Sequence, residues 1–472
     1  MTVNRGTNYQ ILTTTLLVGG LTVLVHLATA AKELVIAYQF GTADDVDAFL
    51  IALLLPSLAI AVVGGSFSSA AIPIYIQVEY REGRTAAHAL YASVLAVAIA
   101  IFLTVTVLLF LLIVPLLALV ESSFTPEKLV LTRTLFLMLL PIVLIRGVVT
   151  VWAALLNAGD RYLLAAIVPI LTPVAMMVSL LEFGHAWGIR ALALGAVGGS
   201  VLEAAILAWH MRRLGFSLTP RWKGWTPAMI DLMRQYGSVV VGAALMSSAL
   251  LVDQAMAAML GSGSVAALNY GGKVVSFLLV VGSTALGTAA LPHFSRLVAA
   301  SDWPAIRRTL RGSIGLILCV GVPLAALTMW LSRPLVQAIF LRGAFTSTDV
   351  ETVSRVQVLL LLQVPFYLIG ILLVRLISSL QANSILLWGC VVNFALNIVL
   401  NYVLMQWLQV AGIALATSIV MMVSSGYLGL MLMRVLNRRE CEQIQTASTL
   451  VEGQGLDLSA RQVLLDAREA SP

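Results

Sequence analysis

Ionisable side chains are scarce in this chain, and those that interrupt apolar stretches are the ones placed to do chemistry. They are Lys32, Glu33, Arg146, Glu203, Asp253, Lys273, Arg355 and Arg375. In a lipid-embedded helix such a group normally faces a partner or a water-filled cavity. Lys32 and Lys273 fall on apolar segments far apart in sequence. Two ammonium groups facing one cavity would suit an anionic head such as a phosphate. The competing structural roles are local pairing or snorkelling for Lys32, and pairing with Asp253 for Lys273. Glu33 adjoins Lys32, and His26 and Arg146 are further candidates to help hold an anion. Arg355 and Arg375 sit near segment ends and read as snorkelling cations. Asn393, Asn397 and Asn401 recur every four residues, so they share one helix face. They either hydrogen-bond between helices or line a polar path. Asp47, Asp253, Asn393 and Asn397 are candidates for cavity lining or coupling.

Other patterns carry weaker chemistry. Asp44-Asp45-Val46-Asp47 has the spacing of a metal-binding Asp-x-Asp, yet it opens an apolar segment, where Asp caps a helix. Thr346-Ser347-Thr348-Asp349 reads as a capping box. Gly64-Gly65 and Gly271-Gly272 are sites of bending or close helix packing. Three separated cysteines and five scattered histidines give neither a disulfide framework nor a metal signature. No nucleophile–base set and no phosphate-binding glycine loop occurs. A catalyst, a direct user of ATP and a protein with a bound cofactor or metal are therefore not expected.

The elements that must position these groups follow from composition. Of 472 residues, 60% are hydrophobic and 11% charged, and mean hydropathy is +0.99. So few charges cannot clothe a water-facing surface. Many segments reach the roughly 20 apolar residues that a spanning helix needs. They are too long and continuous for barrel strands. The predicted class is an all-α integral membrane protein with about twelve spans: 11–38, 46–77, 86–120, 126–157, 162–182, 187–210, 230–260, 264–295, 305–332, 350–380, 384–407 and 410–435. Residues 438–472 read as a polar tail with a short helix near Leu458–Ala467. Even-numbered joints are basic, carrying Arg81, Arg84, Arg161, Arg212, Arg213, Arg221, Lys223, Arg296, Arg307, Arg308 and Arg311. The first joint holds Asp44 and Asp45 and no cation. Both termini are therefore expected in the cytoplasm. No basic tract with interleaved aromatics suggests nucleic acid.

A repeat is also legible. Phe40-Gly41 matches Leu260-Gly261, and Ala70-Ala71-Ile72-Pro73 matches Ala289-Ala290-Leu291-Pro292. Pro141 with Asn157-Ala158 matches Pro365 with Gln381-Ala382, all at offsets between 219 and 224 residues. An even-numbered unit repeated at constant offset predicts two parallel six-helix lobes, residues 1–215 and 216–437, around a central cavity.

Several stretches together resemble the MurJ/MviN-type lipid flippases of the multidrug/oligosaccharidyl-lipid/polysaccharide exporter superfamily. They are Phe40-Gly41-Thr42-Ala43-Asp44-Asp45-Val46-Asp47-Ala48-Phe49, Ser66-Phe67-Ser68, Gly261-Ser262-Gly263-Ser264-Val265, Tyr270-Gly271-Gly272-Lys273, Ala285-Leu286-Gly287-Thr288 and Arg342-Gly343-Ala344-Phe345-Thr346. The similarity runs from about residue 10 to 437 with order and spacing kept. It implies two lobes forming a V around a cationic cavity. It also implies movement of an undecaprenyl-pyrophosphate-linked sugar between leaflets, with alternating access driven by membrane potential or a coupling ion, H+ or Na+. The family's cavity arginines bind the pyrophosphate. Here Lys32-Glu33 stands for its Arg-Asp pair, His26 for an arginine, Gly272-Lys273 for Asp-Arg, and Leu58–Val63 is wholly apolar where the family has an arginine pair.

The reading that follows is an inner-membrane flippase for lipid II or a related exopolysaccharide or O-antigen unit. Its partners would be the glycolipid, membrane lipids and other envelope or polysaccharide-synthesis proteins. The alternatives are an exporter of amphiphilic cations, in which Glu33, Glu203 and Asp253 would matter more, and a non-transporting scaffold of a polysaccharide-synthesis complex.

Overall fold

A computed structural model describes residues 5–118, 124–159 and 161–453, and within these every regular element is a helix. Twelve helices are long and apolar enough to cross a membrane. They are α1 (Arg5–Phe40), α2 (Asp44–Glu82), α3 (Arg84–Ala118), α4 (Pro126–Ala158), α5 (Tyr162–Trp187), α6 (Arg190–Arg213), α7 (Pro227–Ala258), α8 (Ser264–Ala299), α9 (Trp303–Trp330), α10 (Ser347–Ser379), α11 (Asn383–Leu408) and α12 (Val410–Gly453). In lipid the backbone must satisfy its own polar groups, and helices do so within one segment. Their starts are signalled locally. Thr125 accepts from the Lys128 amide before Pro126, and Thr226 accepts from the Met229 amide before Pro227.

Prolines decide where the long helices deviate. Pro56 in α2 precedes a π-helical turn, Ile60–Gly64. The two segments of α4 meet at Leu140 beside Pro141, and those of α10 are separated before Pro365. Each proline removes a backbone donor from the ladder. Gly64 packs where an added Cβ would lie 3.3 Å from Thr150, whereas Gly65 faces open space. Close packing is thus the role of the first glycine.

One compact unit consists of residues 1–275, 327–361 and 390–418. Its core has one cluster around Phe49, Leu135, Leu180, Leu192 and Tyr270, and another around Phe67, Leu95, Phe102, Trp152 and Leu207. The second unit consists of residues 276–326, 362–389 and 419–472. Phe294, Trp303, Leu310, Leu376 and Leu432 centre its core. Leu111, Val114, Met246, Leu316 and Trp407 are exposed, as side chains bathed in lipid would be.

The polar tail expected from Arg438 begins as an unbroken continuation of α12. No glycine or proline interrupts residues 438–452, so nothing stops the helix. Arg438 pairs with Glu442 at 2.9 Å one turn on, and Arg307 reaches Glu440 at 2.8 Å and Asn437 at 2.6 Å. The helix expected near Leu458–Ala467 lies outside the described residues.

Candidate functional site

The two lysines singled out from sequence meet on one carboxylate. Lys32 Nζ lies 3.0 Å and Lys273 Nζ 2.9 Å from Glu33 Oε1. Glu33 is 5% exposed, so its charge is neutralised by these two ammoniums. The Lys273 side chain keeps 37% of its surface accessible, against 14% for Lys32. The cluster therefore carries a net positive charge and presents one accessible ammonium. Lys32 stands eight residues before the end of α1 and Lys273 nine residues into α8, roughly 12–14 Å in from those helix ends.

Beyond that depth the chain closes. Asp47 is fully buried; its Oδ2 accepts from the Gly263 amide at 2.9 Å and its Oδ1 from the Ala266 amide at 2.8 Å. Lys128 Nζ donates to the same carboxylate at 3.1 Å and to Asp44, and lies over the Phe124 ring. Asp47 thus caps α8 rather than its own helix, whose N-cap is Ala43 without any side-chain bond. That corrects the expectation that the Asp44–Asp47 run caps α2. Asp349 closes the capping box predicted at Thr346, accepting from the Thr346 amide at 2.7 Å, and its other oxygen accepts from Thr42. The Ala344 amide donates to Tyr38 O at 2.8 Å. Gly343, at φ 60°, lies so close to Tyr38 that any Cβ would overlap its carbonyl. Tyr270, Phe340 and Phe345 stack within this rim at centroid distances of 5.3–5.9 Å. The rim joins the first, third, seventh and ninth interhelical joints, all odd-numbered, and it is closed.

A third cluster surrounds Asp253 on α7. Its Oδ1 accepts from Asn397 at 2.9 Å and from Asn401 at 2.7 Å, and its Oδ2 accepts from Thr417 at 3.1 Å. No cation reaches it among the described residues. Asn401 Oδ1 is buried with no partner. Asn393, one turn earlier on α11, is half-buried. The asparagine face predicted from spacing is therefore used by Asn397 and Asn401 to hold one carboxylate. Lys273 does not pair with Asp253.

Two expected helpers are placed elsewhere. Arg146 pairs at 3.3 Å with the fully buried Glu203, which also accepts from Thr172 at 2.5 Å. His26, six residues before Lys32, is exposed on another side of α1. Neither shares a hydrogen bond with the Lys32–Glu33–Lys273 cluster. Sequence inspection missed Lys128, which resembles a surface lysine in the first turn of a helix. It also missed Thr417, a helical threonine whose hydroxyl bonds to Ile413 O as most do.

The family model described as lipid II flippase MurJ matches residues 36–452. The probable lipid II flippase MurJ of Synechocystis sp. is 27% identical over 406 residues, covering 82% of this chain and 74% of that protein. The lipid II flippase MurJ of Burkholderia cenocepacia is 24% identical over 378 residues, covering 77% and 71%. Among solved structures, lipid II flippase MurJ in an inward closed conformation superposes with a TM-score of 0.76 at 18% identity, covering 94% of each chain. A multidrug resistance MATE family transporter of the MOP superfamily, facing inward, gives 0.71 at 11% identity over 88% of this chain and 95% of its own.

Proposed function

The chain belongs to the lipid II flippase MurJ family, and on that premise we propose that it moves a polyprenyl-pyrophosphate-linked sugar, lipid II or a related glycan lipid, across the bacterial inner membrane by alternating access. The observation that carries this reading is the shared carboxylate of Lys32, Glu33 and Lys273. A diphosphate arriving at Lys273 offers the ammoniums more acceptor oxygens than Glu33 does, and it displaces Glu33 from them. Lys273 makes first contact because it is the more accessible, and Lys32 completes the grip. The basic even joints support cytoplasmic termini by the bias of Lys and Arg to inner loops, and in that orientation the closed rim of odd joints faces outward. The protein then stands ready to load from the inner leaflet. Two lobes, residues 1–215 and 216–437, would rock to open the rim. The net positive cluster favours an anionic cargo over an amphiphilic cation.

The experiment that tests the reading is complementation of a bacterial strain depleted of its lipid II flippase. Growth on expression of this chain is expected. Failure at normal membrane levels would overturn lipid II as cargo, and rescue of a strain lacking a polysaccharide-unit flippase would then name the other glycan lipid.

Coupling is assigned to the Asp253 cluster. One carboxylate, two amide oxygens and a hydroxyl form a hard-oxygen donor set that suits Na+ once the amides turn their oxygens inward. The unpartnered Asn401 Oδ1 fits that use. Asp253→Asn keeps the shape and removes the charge. It is expected to erase any stimulation of transport by a Na+ gradient without lowering thermal stability, since the buried charge has only neutral partners. Sodium stimulation equal to the parent's in proteoliposomes would remove this site; a proton gradient tested alongside distinguishes H+ coupling.

A further inference from the structure

At the basic end of the first six helices lies a second polar recess, a cavity of about 420 Å³. Glu79 of α2, Arg84, Thr85 and His88 of α3, and Arg161 before α5 supply its polar walls. Arg84 stands 3.7 Å from Glu79 and its side chain is 89% exposed, so the pair is loose. Arg161 has no ion-pair partner among the described residues. Two guanidiniums thus face a recess in which Glu79 is the one carboxylate among the described lining residues. A threonine hydroxyl stands beside them.

The segment after α6 forms one wall and fixes the depth of the recess. Phe216 stacks on His88 at 4.2 Å and meets Tyr91 edge-on at 5.2 Å. The segment then runs along α3: the Arg221 amide donates to Ala92 O at 3.2 Å, and Ser93 Oγ bonds to both Arg221 O and the Lys223 amide. It presents Trp222 and Trp225, packed edge-to-face at 5.2 Å and 45% and 64% exposed. The apolar helix Arg84–Pro115 has 32 residues, or about 48 Å against a hydrocarbon core of about 30 Å. Its first turns therefore stand in the headgroup layer. Exposed indoles beside arginine and lysine are the side chains that settle there.

We propose that this recess binds the phosphate of an anionic phospholipid in the leaflet at the basic end. Arg84 and Arg161 clasp the phosphate, and Trp222 and Trp225 rest at the base of the acyl chains. The site is separate from the transported cargo and does not depend on what that cargo is. Planar guanidiniums match phosphate oxygens in pairs. A nucleotide is disfavoured because the imidazole face that a base would stack on is already taken by Phe216.

The test is native mass spectrometry of the full chain released from bilayers of equal phosphatidylglycerol and phosphatidylcholine. The parent should retain phosphatidylglycerol preferentially. Arg84→Gln with Arg161→Gln should weaken that retention roughly tenfold or more, since each basic side chain near the surface adds attraction to anionic lipid, and Arg84→Lys with Arg161→Lys should keep much of it. Undiminished retention in the double glutamine variant overturns the proposal. If that variant misfolds, Arg161→Gln alone is read the same way, because its exposed side chain has no packing to lose. Glycerol 3-phosphate and inorganic phosphate are added as competitors. Displacement of the lipid by either at equal concentration overturns the lipid assignment in favour of a soluble anion.

Discussion

Replacing Lys32 and Lys273 together with alanine is expected to lower lipid transport at least a hundredfold, a loss of about 3 kcal/mol of cargo binding. The two ammoniums are the fixed cations that converge on Glu33, and a diphosphate in a low-dielectric site needs such partners. The double variant has a known hazard. It leaves Glu33, 5% exposed, as an unpaired buried charge, and breaking a buried pair from one side costs about 3–5 kcal/mol. The same double change combined with Glu33→Gln removes that penalty. Both variants are to be read by flipping of a fluorescent lipid-linked sugar in proteoliposomes, with thermal unfolding measured alongside. A folded triple variant that still flips at the parent rate would sink the site.

Asp47→Ala is expected to open the rim. The substitution strands Lys128 and leaves the Gly263 and Ala266 amides without their acceptor. The Lys128 pair lies within residues 1–215 and is lost in either state, whereas the two amide bonds to Gly263 and Ala266 join the two expected lobes, and hydrogen bonds to a charged group contribute about 1.5–3 kcal/mol each. A two-state gate shifted by that much changes its open population by two orders of magnitude or more. The measurement is labelling of Ala267→Cys, buried in the first turn of α8 at the closed rim, by a membrane-impermeant thiol reagent, in a background with Cys319, Cys390 and Cys441 changed to serine. Labelling from outside should rise at least tenfold relative to the same chain with Asp47 intact. Unchanged labelling would show that Asp47 does not hold the rim.

Much of the scaffold was legible in the sequence, because lipid leaves little choice. Long apolar segments must be helices, and the twelve expected spans are the twelve candidate spans observed. The breaks in α4 and α10 beside Pro141 and Pro365 were not expected, since those prolines were read only as repeat markers within unbroken spans. Lys32, Glu33, Lys273 and Asp253 stood out because charge is costly where they lie. Which of them meet was not legible. Local spacing suggests Lys32–Glu33, but nothing in residue types says that Lys273 chooses Glu33 over Asp253. Asp47 was harder still. Two of its partners are backbone amides more than 200 residues away, and an amide has no letter in the sequence. Arg146 misled for the opposite reason. A cation in an apolar run signals a partner, and here the partner is Glu203, fixed within the helix packing.

A carrier must also make its return journey with nothing aboard. Closing over an empty site strips it of water, and two bare ammoniums side by side would resist that drying. On the proposed cycle Glu33, already lying between Lys32 and Lys273, would act as an internal placeholder for the departed cargo. Half of that cycle would then need no ligand to be permitted. The residue proposed to yield its lysines on loading would be the one that lets the unloaded protein reset.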